Sequence, residues 1–450
     1  MKGWNLPKPV QKYSYIFLTI IAIFFTACDD GKNLKDASYP IPMPIYENPI
    51  DFLNAIRIDS GLNSLALNQK LSDSSLNHAK YLYENNSKSH YETENNRYFT
   101  GISPKDRAFY VGYNTQITEN ISINSINSMD SIDGLLSAIY HRFNFLDPTI
   151  NEIGYGFFGN DKNQNYVYNM GNSNLNEFCQ RGISDKGYGK FYSGYCKEKD
   201  IAILESNLDR FKNLNFFDYV VYPNSDKTKS FFSNEDPNPF PECKITSNPV
   251  SIEFNKQGSL VTMVDFKIFK NGERLLNTKQ LTSLNDVNSI LNKYQFALFS
   301  KDVFDFNQEY LVEFDYIQKQ KQKTITWKFK TKTPQNKYFV ANNKDKLSLS
   351  PNIWYDIFLK PENCNDVFNS YQASYKLMKK PDIKTLDTNM LRVKLNGLKN
   401  SKLTLKFDNN KEIYLILSKS SESLKIYENK FIYIIFVAIL ITIFYIIKRR

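Results

Sequence analysis

The apolar positions of this chain keep two different periods in two stretches. Residues 50–172 show helical spacing early and strand-like alternation late, the latter in 153–158 and 166–170. That order predicts an α/β sandwich of layers. Leu71, Ser75, His78 and Leu82 step by four, three and four, which sets His78 on a stripe of core leucines, the usual place of a packing residue. Ile132, Leu135, Leu136 and Ile139 form the stripe of a later helix, and His141 closes it. Between them Ile117, Glu119, Ile121 and Ile123 alternate, so the carboxylate points where isoleucines point and needs a partner. From residue 244 the period becomes two. Val264, Phe266 and Ile268 lead into the tight turn Asn271-Gly272, and Tyr310, Val312, Phe314 and Tyr316 lead through a polar turn into Ile325, Trp327 and Phe329. This predicts a β-sandwich over 244–335. Residues 336–425 repeat the texture, with Leu403, Leu405 and Phe407 before Asp408-Asn409-Asn410 and Ile413, Leu415 and Leu417 after it, and predict a second all-β domain. Neither β region carries a chemical motif, so both read as spacers or contact modules.

Both ends of the chain read as membrane segments. Lys2, Lys8 and Lys12 precede an apolar run over 16–27 that stops at Phe25-Thr26-Ala27-Cys28. This resembles a lipoprotein signal peptide, residues 1–27, with Cys28 the lipidated first residue of the mature chain. Phe25 stands where an aliphatic residue is usual, which keeps an uncleaved signal anchor open. Asp29 and Asp30 resemble an inner-membrane retention signal. At the other end, residues 431–447 carry no charge and would span about 26 Å as a helix. With Tyr433 and Tyr445 near its ends and Lys448-Arg449-Arg450 after it, 430–448 predicts a transmembrane helix with a cytoplasmic C-terminus. A sorting tail that is later removed is the alternative. Residues 28–49 read as a tether stiffened by Pro40, Pro42, Pro44 and Pro49, and 173–243 as a disulfide loop with a Pro-rich exit at Pro237, Pro239 and Pro241. The body is therefore expected outside the cytoplasm, in the periplasmic space of a bacterial envelope, anchored to the inner membrane.

Composition changes little in this picture. The net charge of +10 is spread along the chain and partly held in the membrane flanks, so no nucleic-acid partner is expected. Apart from Cys28 the cysteines number four, Cys179, Cys196, Cys243 and Cys364, an even set suited to an oxidising compartment. The short loop between Cys179 and Cys196 predicts a disulfide there. Cys243 and Cys364 are only the pair left over, and their pairing stays open.

Two of the three histidines in the chain fall in polar or cleft-facing positions, His90 in the polar segment 87–91 and His141 at its helix end. They belong to an ordered series. Asn54-Ala55-Ile56-Arg57, Gly61-Leu62 with Leu65 and Asn68, Asn77-His78-Ala79, Ser89-His90, Gly112-Tyr113, Glu119-Asn120-Ile121, the run from His141 through Arg142, Phe143, Asn144 and Phe145 to Leu146, and Gly154-Tyr155-Gly156 follow in turn. In order and spacing this series resembles the CAP superfamily of cysteine-rich secretory proteins, antigen 5 and plant pathogenesis-related proteins, in its bacterial extracytoplasmic branch. The resemblance implies the CAP α-β-α sandwich over 50–172, and the sandwich that follows resembles the Ig-like module common after bacterial CAP domains.

It also implies a cleft lined by two histidines and two acids, in which some members hold a divalent cation. His90, Glu119 and His141 match three of those positions. The second acid has no match, with Asp133 the nearest candidate, and Thr118 replaces the glycine that usually precedes Glu-Asn. Two histidines and one carboxylate suit a divalent cation, zinc first, with an open water position. A polar cluster satisfied without metal is the alternative. No Gly-x-Ser-x-Gly elbow or catalytic cysteine is present. The leading expectation is a binding protein for a lipid, peptide or protein ligand. A metal-dependent hydrolase of envelope peptide or peptidoglycan, which needs a base besides Glu119, and an adhesin-like stalk are the alternatives.

Overall fold

The structure is a computed structural model that describes residues 34–422, apart from positions 161, 162, 216, 234 and 257, together with positions 437, 438, 441 and 445. Cys28, the 1–27 signal and nearly all of 430–448 lie outside the described residues. Among the described ones no helix is long and apolar enough to cross a membrane.

In the first domain, helix starts are written into the sequence. Asn48 accepts from the Asp51 amide and Pro49 occupies the first turn of α1, Pro49–Asp59. Asn68 caps α2, Gln69–Glu84, and a Ser103–Asp106 capping box opens α3, Pro104–Tyr110. Helices α4, Ser128–Ser137, and α5, Ile139–Phe145, follow almost without a break. The sheet consists of β1 Ala66–Leu67, β2 Thr118–Ile123, β3 Glu152–Asn160 and β4 Asn163–Gly171, in the order β1-β3-β4-β2. Strand β2 is thus an edge, paired antiparallel with β4.

Helix α2 covers one face. It sits directly on β3 at the Gly-Tyr-Gly motif, where a Cβ at Gly154 would stand 2.0 Å from the Leu71 backbone and one at Gly156 2.2 Å from that of Leu76. Leu53, Ile56, Ile132, Leu136 and Phe145 cover the other face, against Tyr168 and Met170. The domain is therefore an α/β sandwich as the periodicity predicts, with its sheet between two helical layers.

Residues 173–243 are not a free linker. Helices α6, Ser173–Gln180, and α7, Glu205–Lys212, close a small core of Leu175, Phe178, Ile203, Leu208 and Phe211 beside the Cys179–Cys196 disulfide. Strand β5, Tyr219–Tyr222, then pairs with β6, Val250–Phe254. Val220 and Tyr222 enter the first domain's core while Val221 packs on the next, so alternate residues of one strand serve two domains. The pattern is too short to read as a strand from sequence.

The β region folds as two pairs of four-stranded sheets. In the first pair β7 Val261–Lys270, β8 Glu273–Arg274, β9 Thr278–Thr282, β10 Gln295–Ser300, β11 Glu309–Gln318 and β12 Lys321–Lys330 give the orders β9-β10-β6-β5 and β8-β7-β11-β12. In the second, β13 Lys337–Ala341, β14 Lys346–Leu349, β15 Trp354–Leu359, β16 Tyr371–Met378, β17 Asp382–Asp387, β18 Met390–Lys394, β19 Gly397–Phe407 and β20 Glu412–Leu417 give β13-β15-β18-β17 and β14-β20-β19-β16. Strands β14 and β20 run parallel.

Three contacts fix these bodies around one space. Arg142, on α5, is fully buried and donates to Leu136 O, Pro249 O, Ser251 Oγ and Asn248 Oδ1, so a first-domain side chain is held by the neighbouring sandwich. Burial brings its pKa down to about 10, with Tyr222 and Glu235 opposing. Cys243 and Cys364, the pair left open by the sequence, form a second disulfide that ties the connecting segment to the last domain. The stretch expected to be a tether is docked on the β domains: Lys35 pairs in parallel with Leu347 and Ser38 antiparallel with Tyr338 in the last one, and the Ile41 amide donates at 2.9 Å to Thr333 Oγ1, just before it.

Candidate functional site

Consecutive residues of a strand face opposite sides of its sheet, and the site is built on one such pair, Glu119 and Asn120 of the edge strand β2. Glu119 points toward the α2 side. Its carboxylate accepts from Arg107 Nη2 at 2.8 Å to each oxygen and from His90 Nδ1 at 2.9 Å. His78 Nε2 lies 3.8 Å away. His78 also places Nδ1 at 2.8 Å from Glu92 Oε1 and Nε2 at 3.2 Å from Ser89 O. Both ring nitrogens therefore face oxygen atoms. Arg107 Nε stands 3.7 Å from Glu92 Oε1. Arg107 and His78 thus face the two carboxylates in the interior, all four side chains buried. Burial alone would push the Glu119 pKa up; His78, Arg107 and His90 overcome it and bring it down to about 2.

Asn120 points to the other layer. Its Nδ2 donates to His141 O at 2.8 Å and its Oδ1 accepts from Asn144 Nδ2 at 3.0 Å, which pins α5 to the strand. The residue before α5, Ala138, offers no side-chain cap. Glu235 supplies one from the connecting segment: its Oε1 accepts from the Tyr140 amide at 2.8 Å, the His141 amide at 3.1 Å and His141 Nδ1 at 2.7 Å. Its Oε2 is buried without a partner.

The Glu-Asn pair therefore holds one histidine from each layer of the sandwich. The rings of His90 and His141 stack with centroids 6.3 Å apart and planes 25° apart. Each places Nδ1 against a carboxylate, and among the described residues neither Nε2 has a hydrogen-bond partner. The His90 side chain is 36% exposed and that of His141 13%. Both line a cleft of about 1620 Å³ walled by the first domain, the segment around Glu235, the last β domain at Asp356 and Asp387, and the proline strap from Pro40 to Tyr46.

The three sequence-predicted residues are therefore brought together, though not as one ligand set: Glu119 serves His90, and His141 has a carboxylate of its own. Asp133, the nearest candidate for the second acid, instead pairs with Lys332. Thr118 sits in β2 opposite Met170 with its hydroxyl buried and unpartnered. His78 is buried as its stripe predicts, yet its ring meets Glu92 and the Ser89 carbonyl and is not an apolar filler. Glu92, Arg107 and Glu235 escaped the sequence reading. Glu92 had a faint signal, two residues after His90, and the uncapped start of α5 called for an acceptor without saying where it lay.

Residues 50–170 match the model of the CAP, or cysteine-rich secretory protein, family. They form a CAP domain. No curated protein matches the chain. Among solved structures, an extracellular protein with an SCP domain from Bacillus anthracis is 26% identical over 27% of this chain and 38% of its own, with a TM-score of 0.25. An outer surface protein from Borrelia burgdorferi is 18% identical over 27% of this chain and 87% of its own, with a TM-score of 0.24. The chain thus spans well under half of the B. anthracis protein, and the β domains lie outside the CAP match. The two disulfides suit an oxidising, extracytoplasmic setting.

Proposed function

We propose that this chain is an envelope-anchored CAP-domain protein that holds a ligand or partner outside the cytoplasm, in the cleft between its CAP domain and its β domains. In this reading Cys28 carries lipid, 430–448 spans the inner membrane, and the β domains act as Ig-like modules that carry the CAP domain and wall its cleft. The observation that carries it is the pair of stacked, carboxylate-backed imidazoles at the edge of a cleft of about 1620 Å³. Buried charge networks hold both rings, while their Nε2 atoms are left to meet a ligand.

A divalent cation would have to use those two Nε2 atoms. Glu119 is already occupied by Arg107 and His90, and among the described residues no three His, Cys, Asp or Glu side chains are placed to hold a metal. Zinc sites use at least three protein ligands. The donor set therefore falls short of a resident zinc site, and no step is routed through one. A second reading, hydrolysis of an envelope peptide or peptidoglycan fragment, is favoured by one observation: an imidazole backed by a carboxylate is the general-base half of a hydrolytic site.

The test incubates the full chain in nanodiscs with muropeptides, envelope phospholipids and defined peptide pools. Thermal shift reads binding and mass spectrometry reads products, with His90→Ala and His141→Ala beside wild type. Saturable shifts that both variants lose, without product, support a binding protein. Product formation lost in both supports the hydrolase. Shifts unchanged in both variants would place the ligand elsewhere and overturn the cleft reading.

A further inference from the structure

The cleft has a wall that recognises backbone. Strand β2 is the free edge of the CAP sheet, and residues 121–123 are half-buried along the cleft. The Asn124 amide donates to its cross-strand partner Gln164. In an antiparallel ladder hydrogen-bonded pairs alternate, so Ser122 and Asn120 also turn their backbone groups to β4. Glu119, Ile121 and Ile123 must then turn theirs outward. No hydrogen bond to the main chain of Ile121 or Ile123 beyond the β2–β4 ladder is present among the described residues. A row of unpaired N–H and C=O groups in a concave site is a template for an added strand.

Size and charge narrow the occupant. The cleft of about 1620 Å³ exceeds the roughly 300–1,000 Å³ of small-molecule pockets and suits a chain-like ligand. Its cations are largely matched, Lys332 by Asp133, Lys229 by Asp387 and Arg392 by Asp356. Its acids are matched through one oxygen only at two places: Glu235 Oε2 and Asp133 Oδ1 are buried without partners. Asp130 adds a third carboxyl at the same wall, with its pKa raised by burial and by Asp133.

We propose that the cleft binds an extended peptide bearing a basic side chain, which adds as a strand to the outer edge of β2 at Ile121 and Ile123 and sets its cation near Asp130, Asp133 and Glu235. The stacked histidines stand at the end of this track, where they meet the peptide main chain. The inference rests on the cleft reading above and names its ligand class.

The test titrates the full chain in nanodiscs with three fluorescein-labelled decapeptide pools whose central residues are fixed as Lys/Arg, Asp/Glu or Ala, and with the Lys/Arg pool N-methylated at alternate amides. Muropeptides and phosphatidylglycerol vesicles are the non-peptide probes. The edge variant is Ile121→Pro, which removes an outward N–H at a position where an edge strand tolerates proline, with Ile123→Pro as a second in case the first fails to fold. The expected result is preference for the Lys/Arg pool by at least tenfold, a loss of at least tenfold on N-methylation or in either proline variant, and slowed amide exchange at Ile121 and Ile123 on binding. Peptide binding indifferent to the proline variants and to N-methylation overturns strand addition. Binding of muropeptide or vesicles alone, lost in His90→Ala, overturns the peptide inference while the cleft reading stands. If no probe binds, both fall.

Discussion

Glu119 offers the most direct quantitative check on the buried network. Its folded-state pKa of about 2 lies below the ordinary 4.5 because His78, Arg107 and His90 favour the anion more than burial disfavours it. At ~1.36 kcal/mol per pH unit that difference amounts to about 3 kcal/mol of stability. The folded-state value is the depressed one, so this contribution is complete above pH 4.5 and is lost as pH falls toward 2, with about 2 kcal/mol gone by pH 3. Glu119→Gln removes the titrating group and leaves Arg107 short of its carboxylate. The variant is expected to be about 3 kcal/mol or more less stable at pH 7. The assay is urea unfolding followed by circular dichroism for both proteins at intervals from pH 7.5 to 3. The gap between them is expected to hold down to about pH 5 and to narrow by about 2 kcal/mol at pH 3. A gap of equal size at pH 7 and pH 3 would refute the charge-network account, and so would a variant as stable as wild type at pH 7.

Three further outcomes are expected. Glu235→Ala strips the cap from α5 and the partner from His141 Nδ1, costing about 2–3 kcal/mol in urea unfolding and shifting the His141 ring signals in nitrogen-15 spectra; unchanged ring signals would count against Glu235 as its positioning residue. Removing the Cys243–Cys364 bridge, with a sequence separation of 121, is expected to cost about 5 kcal/mol against about 3 for Cys179–Cys196, with a separation of 17, since loop-closure entropy grows with the logarithm of length; paired Cys→Ala variants compared by denaturation test the order. Glu253 is buried on β6, and burial raises its pKa to about 7, with Lys256 opposing. Its neutral form is the one the fold favours, so stability falls as pH rises from 4.5 through 7, and Glu253→Gln should gain up to about 3 kcal/mol at pH 8 and nothing at pH 4, read from melting curves at the two pH values.

Residue period was enough to read the layers of the CAP domain, because helices and strands that bury one face repeat every 3.6 or two residues. Glu119 among isoleucines was legible as a buried carboxylate in need of a partner, and His90 as a residue that packing did not explain. Arg107 was not legible. It sits one residue past the capping acid Asp106 in α3, where a basic residue reads as a solvated one, and only the fold brings it against Glu119. Glu235 was hidden more deeply. Its bond to His141 spans 94 residues and starts from a Pro-rich stretch whose composition says linker. Strand β5 was masked by its role, since a strand that feeds two cores shows no polar face. The proline strap misled for the opposite reason: proline fixes an extended backbone but does not say whether that backbone lies free or against another domain.

The docking of Lys35 on Leu347 bears on how the molecule responds to force. Lys35, β14 and β20 run parallel in that order, so a pull applied between residues 34 and 422 draws the outer members in opposite directions along their own axes. Their hydrogen bonds are loaded together in shear and not peeled one after another. Tension between those two points is borne by the last β domain, and the histidine cleft lies off the line of load. In single-molecule pulling between these residues, the last β domain should resist as a shear clamp and the CAP domain should keep its fold until that clamp fails; release of the CAP domain first would show that the load passes through the cleft.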